Sequence, residues 1–298
     1  MNSKVQSLKA FLGHAGRVAL VEVATTKGST PREAGAFMLV SASEILGTIG
    51  GGQLEYMAID KARQMLGGRA ASRAAAGEAR IEVKEVCATL DVPLGPEIGQ
   101  CCGGRVEVLI RLVDAALAAE LIGKAEAEEA HLPHVYIFGG GHVGQALAAS
   151  LALLPIHAVV VETRAEALEG MPETVETKLT PMPEAVVREA PAGSAFAVLT
   201  HDHALDFLIV AEALKRDDTA YVGMIGSKTK KATFRHWFLK SAEGSEAEFD
   251  RLVSPIGGNA VKDKRPPVIA ALAAAEIMTA LVSHSAQASS TSEKVMVG

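Results

Sequence analysis

Hydrophobic and polar positions follow two different rhythms along this chain. In the first third they alternate with a period of two. The runs 17–25, 36–40, 80–86 and 105–112 read as half-buried strands, with Val106, Val108, Ile110 and Leu112 on one side of the last. A helix is predicted over about 53–66. Residues 114–130, rich in Ala, Glu, Leu and Lys, predict a second helix with Asp114 as its N-cap, ended before Pro133. Beyond it the rhythm changes. Continuous apolar runs at 135–138, 158–162, 174–178, 195–200 and 220–225 alternate with helical patterns at 145–154, 183–189, 203–215 and 228–239. Strands that are apolar on both faces and alternate with helices predict a parallel sheet covered on both sides. A last helix is predicted over 266–282, with proline in its first turn, and a disordered tail over 283–298, which is rich in Ser, Ala and Gln.

The fold class expected is therefore α/β: a C-terminal doubly wound, Rossmann-like parallel sheet preceded by a smaller β-rich α+β domain. The expected boundaries are 1–113 for the first domain, 114–131 for a connecting helix, 132–282 for the second domain and 283–298 for the tail.

Composition narrows the function classes. A chain of 298 residues favours two domains. Hydrophobic residues at 49% and charged residues at 21% fit a folded protein, and 4% aromatics leave the cores to aliphatic side chains. A net charge of -6 without a long basic block argues against a nucleic-acid partner. No run approaches the roughly 18 uninterrupted apolar residues of a membrane span, and residues 1–12 lack a signal-peptide core. Three cysteines, Cys87, Cys101 and Cys102, do not make a disulfide framework, so free thiols and a cytoplasmic location are expected.

The candidate chemistry lies in glycine-rich turns. Gly139, Gly141 and Gly144 fit the dinucleotide fingerprint G-x-G-x-x-G, with Gly140 and His142 inside it, between a strand and a helix. Such a turn presents the helix N-terminus to a phosphate. Glu162 ends the next strand, where a dinucleotide site places its ribose ligand. The alternative is a domain that keeps its glycines for packing, and the motif does not decide between a nicotinamide dinucleotide and a pterin. Thr200, His201, Asp202 and His203 follow another strand and read either as metal ligands or as helix caps. Ser227, after Gly226 and before Lys228 and Lys230, reads equally as an anion ligand and as an N-cap.

Three segments stand out in the first domain. Residues 27–32 (KGSTPR) form a polar loop in which Arg32 offers forked donors to a phosphate; a solvated hairpin loop is the other reading. Gly50, Gly51 and Gly52 lead into a helix, whose N-terminus offers a place for an anion, and suggest close approach of a ligand or another backbone. Cys101 and Cys102, flanked by glycine and followed by Arg105, are soft ligands for a metal or carriers of sulfur, or else small buried hydrophobes.

Together these segments resemble the xanthine dehydrogenase accessory proteins, the XdhC/CoxI family. The resemblance rests on GSTPR (28–32), GTIGGGQLE (47–55), QCCGGRV (100–106), FGGGHVG (138–144), YVGMIGSK (221–228), PIG (255–257) and AAEI (274–277), and it reaches to about Leu281. It implies a non-catalytic carrier that binds molybdenum cofactor (molybdopterin), holds it while a cysteine desulfurase helps install the sulfido ligand, and inserts it into xanthine dehydrogenase. The stretch GNAVKDKR (258–265) is more basic than in relatives that serve other molybdoenzymes, which points to the xanthine dehydrogenase branch. Cofactor contacts are expected from the glycines and His142, from Arg32 and Ser227, and from Cys101 and Cys102 facing molybdenum or its sulfur. The family and the apolar fraction suggest a homodimer. The competing reading is an NAD(P)-dependent oxidoreductase, supported by the fingerprint and Glu162 and opposed by the lack of an acid–base set after it.

Overall fold

A computed structural model describes residues 3–67, 80–84, 87–95 and 103–296. The chain divides into two compact units, 3–128 and from Glu129 onward.

The first unit is a six-stranded antiparallel sheet between two helical layers. Its elements are α1 (Lys4–His14), β1 (Ala19–Lys27), β2 (Phe37–Val40), β3 (Ile45–Gly47), α2 (Gly52–Gly67), β4 (Arg80–Lys84), β5 (Cys87–Pro93), β6 (Arg105–Leu112) and α3 (Ala115–Ala130). The strand order is β3-β2-β1-β6-β5-β4. Alternation along β1 explains the layers. Ala19, Val21 and Val23 pack with Val106, Val108 and Ile110 under Leu54, Ala58 and Ala62 of α2. Leu20, on the opposite face, packs with Leu39 beneath Val5, Leu8 and Phe11 of α1 and Leu121 and Ala125 of α3. The helix expected as a connector is thus part of the first unit's outer layer, because Leu121 and Ala125, four residues apart, bury one stripe. Lys9 of α1 also pairs with Glu126 of α3 at 2.7 Å.

The second unit contains β7 (His134–Phe138), α4 (His142–Leu151), β8 (His157–Glu162), β9 (Glu176–Leu179), α5 (Pro183–Glu189), β10 (Ala195–Val198), α6 (His203–Lys215), β11 (Tyr221–Met224), α7 (Lys228–Ser241), α8 (Glu246–Phe249), β12 (Leu252–Val253) and α9 (Pro266–Met296). All neighbours are parallel in the order β12-β11-β10-β7-β8-β9. The chain starts at the centre, winds out to β9, and returns to place β10 against β7. That is the Rossmann order, and its reversal lies between β7 and β10. Tyr136, Phe138, Phe196 and Val198 face a cluster with α5, α6, α7 and α8 that includes Phe234 and Phe238. Val135, Ile137, Ala195 and Ala197 face α4 and α9 through Leu147, Leu151, Ile277 and Leu281.

The last helix departs from expectation by running through Met296 rather than giving way to a disordered tail at Ser283. No glycine or proline interrupts it after Pro267, and Ser283 and Ser285 return their hydroxyls to the carbonyls of Thr279 and Leu281. Its stretch Pro266–Gln287, with mean hydropathy 1.6, is long and apolar enough to cross a membrane by length and composition. Here Ala270, Ala273, Ile277 and Leu281 are buried in the second unit's core.

Candidate functional site

In an open α/β sheet ligands bind beyond the carboxyl ends of the strands, where the order reverses. That place holds a cavity of about 330 Å³ lined by Gly139, Gly141, His142, Val143, Glu162, Arg164, Leu199, Thr200, His201, Ile225 and Pro266.

The glycines around it have different reasons to be glycine. Gly139 leaves β7 with φ +109, and a Cβ there would lie 2.7 Å from the Leu199 carbonyl oxygen. At Gly140 a Cβ would meet the Ala167 oxygen at 2.2 Å, and at Gly144 the Gly139 oxygen at 1.9 Å. These three are required by the chain's own backbone. Gly141 is not: a Cβ would meet nothing within 4 Å, and its φ is an ordinary -69. Gly141 is also the N-cap of α4 with no side-chain cap bond, so the first N–H groups of that helix stay open at the exposed cavity wall.

Glu162, almost fully buried, ties the turn to β8. Its carboxylate accepts from the Gly140 N–H (2.9 Å), the Thr163 N–H (2.8 Å) and hydroxyl (3.1 Å), and the Arg164 N–H (3.2 Å), with the Arg164 guanidinium at 3.5 Å. Burial pushes this carboxyl up, but the N–H groups of Gly140 and Thr163 and the Arg164 contacts outweigh it and hold it below the usual range. The Gly140 N–H is therefore spent on Glu162, and the anion-facing donors are those from His142 onward. A depressed carboxylate stabilises the fold above its unfolded pKa of about 4.3, and that contribution is lost as pH falls through the folded value. Stability of this turn should thus hold from neutral pH to about 5 and fail only in stronger acid. Exchange of the Gly140 amide against pH checks this; loss of its protection near neutrality would contradict it.

The opposite wall rests on a buried ion pair that sequence reading missed. Asp206 of α6 is fully buried, and its carboxylate accepts from the Thr200 N–H (3.1 Å) and hydroxyl (2.6 Å) and from the Lys230 ammonium. Lys230 also donates to the Ile225 carbonyl at 3.0 Å. The pair locks the ends of β10 and β11 where Thr200 and Ile225 line the cavity. The hint in the sequence was Asp206, an acid set between apolar residues of α6.

The remaining candidates of the second unit act as caps. Asp202 accepts from the Ala204 N–H (2.8 Å) and the Leu205 N–H (3.4 Å), and the Ser227 hydroxyl accepts from the Lys230 N–H (3.2 Å). Among the described residues no group of His, Cys, Asp or Glu is arranged to hold a metal ion; within Thr200 to His203 it is Asp202 that caps α6.

In the first unit the three motifs meet at one end of the sheet. A Cβ at Gly50 would lie 2.7 Å from Pro31 and 3.4 Å from the Arg32 side chain, and one at Gly104 would lie 2.2 Å from the Ser29 carbonyl oxygen. Their glycines thus serve approach of the 27–32 loop. The N-terminus of α2 already holds a carboxylate: Glu55 accepts from the Thr48 hydroxyl (2.5 Å), the Ile49 N–H (3.0 Å) and the Gly51 N–H (3.1 Å). Burial raises this carboxyl, and those donors bring it below its usual range. An outside anion at Gly50 to Gly52 would compete with it. Arg32 is exposed. Arg105 is held in a two-pronged pair with Asp91 at 2.6 Å for both bonds. Cys101 and Cys102 lie outside the described residues; Cys102 directly precedes Gly103, which bridges to Ser29.

Fold and site together define a two-unit α/β protein with a cavity at the strand-order reversal of a Rossmann sheet. Residues 135–277 match the model of the XdhC Rossmann domain, and residues 12–74 that of the XdhC and CoxI family. The chain belongs to the XdhC/CoxI family. It is 27% identical over 270 residues to the uncharacterized protein YqeB of Escherichia coli (strain K12), covering 87% of this chain and 43% of that protein. The chain therefore spans less than half the length of that relative. It is similar in fold to a xanthine dehydrogenase from Bacillus halodurans solved by crystallography, with a TM-score of 0.74 and 17% identity over 95% of this chain and 96% of that one.

Proposed function

We propose that this chain is a non-catalytic accessory protein that binds molybdenum cofactor as cargo and delivers it to xanthine dehydrogenase. Membership in the XdhC/CoxI family supports the accessory role. The observation that carries the binding site is Gly141, the one glycine of the turn whose missing side chain serves no contact within the protein. The cargo fits that opening. Molybdopterin ends in a phosphate, which the α4 N-terminus attracts, and its polar pterin suits a cavity bordered by His142, Thr200 and His201. Backbone amides hold an anion without a covalent anchor, as a carrier that must release its load requires.

In this reading a cysteine desulfurase supplies sulfur while the cofactor is held, and the thiols of Cys101 and Cys102 are the soft groups the chain offers to molybdenum or its sulfur. Arg32 sits on the loop that packs against Gly50 and Gly104 in the first unit. The Rossmann strand order and Glu162 favour a second reading, an NAD(P)-dependent oxidoreductase. Against it, the Glu162 carboxylate already receives donors from Gly140, Thr163 and Arg164, which a ribose diol would have to displace.

Titrating the protein separately with molybdopterin released from a molybdoenzyme and with NADH separates the two. The carrier reading expects molybdopterin to bind and NADH not to. Tight NADH binding with turnover, and none of molybdopterin, would replace it with the oxidoreductase.

A further inference from the structure

The Rossmann cavity lacks a free strong cation. Among its described lining residues the only guanidinium, Arg164, stands against Glu162. An anionic ligand therefore meets helix amides and a carboxylate, and its charge is not balanced by the wall.

The balancing charge lies on the segment that leads to the rim. Residues 258–265 (GNAVKDKR) are exposed except for Asp263, which is half-buried. Residues 259–264 form no backbone–backbone hydrogen bond among the described residues. Segments so weakly held open at low free-energy cost. Asp263 is paired with Arg265, whereas Lys262 and Lys264 have no ion pair among the described residues.

Both ends of the segment are fixed. Gly257 donates its N–H to Glu276 of α9 at 3.2 Å, and the same carboxylate accepts the Tyr221 hydroxyl. A Cβ at Gly257 would lie 3.1 Å from Leu272, while one at Gly258 would meet nothing, although both have positive φ (+77 and +73). Freedom thus begins at Gly258. At the far end, Pro266 opens α9 and lines the cavity. Two residues span at most about 7 Å, so Lys264 lies within side-chain reach of the rim.

We propose that residues 258–265 form a cationic strap that closes over the Rossmann cavity and brings Lys262 and Lys264 to the anionic group of the ligand at the α4 N-terminus. This rests on the reading of that cavity as an anion site, and it adds two ligand-binding residues and a closing step. Release then requires the strap to open.

Hydrogen–deuterium exchange of peptides covering 258–265 in the full chain tests it, with inorganic pyrophosphate and released molybdopterin as separate probes. Binding of each probe is measured in parallel for the wild type and for Lys262→Ala/Lys264→Ala. The expected result is slower exchange in the strap on binding, and a loss of affinity in the double variant of about five-fold, equivalent to ~1 kcal/mol. Binding with unchanged exchange and unchanged affinity of the variant would overturn the strap and leave the cargo reading standing. Both effects with pyrophosphate, but no binding of molybdopterin, would keep the strap and remove the cargo. No binding of either probe would remove both.

Discussion

Replacing Lys230 by Met is expected to destabilise the second unit by about 3–5 kcal/mol, because it leaves the Asp206 carboxylate buried without its partner. Asp206 is fully buried and Lys230 nearly so. In a unit of this size each kcal/mol moves the melting temperature by roughly 2–4 °C, so thermal unfolding should begin some ~10 °C lower. The control is the double variant Asp206→Asn/Lys230→Met. An amide oxygen still accepts the Thr200 N–H now bonded to Asp206 at 3.1 Å, and no charge is stranded, so most of the lost stability should return. A single variant as stable as the wild type would mean that water reaches this pair. The cavity wall at Thr200 and Ile225 would then lack the lock assigned to it.

The second large effect separates two glycines three positions apart. Gly144→Ala puts a Cβ where the Gly139 oxygen stands 1.9 Å away. Both atoms belong to backbone, so α4 must shift from β7, at a cost of ~3 kcal/mol, the upper part of the usual range for overpacking. Gly141→Ala places its Cβ in open space with ordinary φ, and its stability should stay within about 0.5 kcal/mol of wild type. Urea unfolding of the two variants measures this. Equal destabilisation of both would show that Gly141 has a structural duty, and the reason to reserve it for a ligand would disappear.

Much of the second unit was legible in the sequence because its strands are buried on both faces and its turns carry strong chemistry. The run preceding Gly139, the caps Asp202 and Ser227 and the proline at the start of α9 each announce themselves locally. The first unit was harder. In α1 the buried stripe is only Val5, Leu8 and Phe11 among polar residues, which reads as scattered polarity. In β5 the buried Ala88, Leu90 and Val92 alternate with Thr89, Asp91 and Pro93, and the aspartate and proline weaken a strand assignment. β3 and β12 are three and two residues long and owe their place to the neighbouring strand.

The site was legible as a glycine turn but not as a division of labour within it. Only three-dimensional contacts reveal that Gly139, Gly140 and Gly144 serve the backbone while Gly141 does not. The fingerprint likewise suggested Glu162 as a ribose ligand, whereas its donors come from Gly140, Thr163 and Arg164. Asp206 and Lys230 are 24 residues apart, and no local pattern joins them. In the first unit three consecutive glycines suggested an anion site, and the carboxylate found there belongs to Glu55 of the same chain.

Retention of molybdopterin by Gly141→Asp decides whether the α4 N-terminus holds the cofactor. The variant places a carboxylate at the N-cap of α4, where the ligand's phosphate is assigned, and aspartate is a favourable N-cap for the helix itself. The protein and the variant are loaded with molybdopterin released from a molybdoenzyme, passed through gel filtration, and assayed for pterin fluorescence after oxidation. The expected variant unfolds like the wild type and retains at most about a tenth of the cofactor, a loss of ~1.4 kcal/mol or more in binding. Full retention by a folded Gly141→Asp protein would contradict it and move the cofactor site away from this turn.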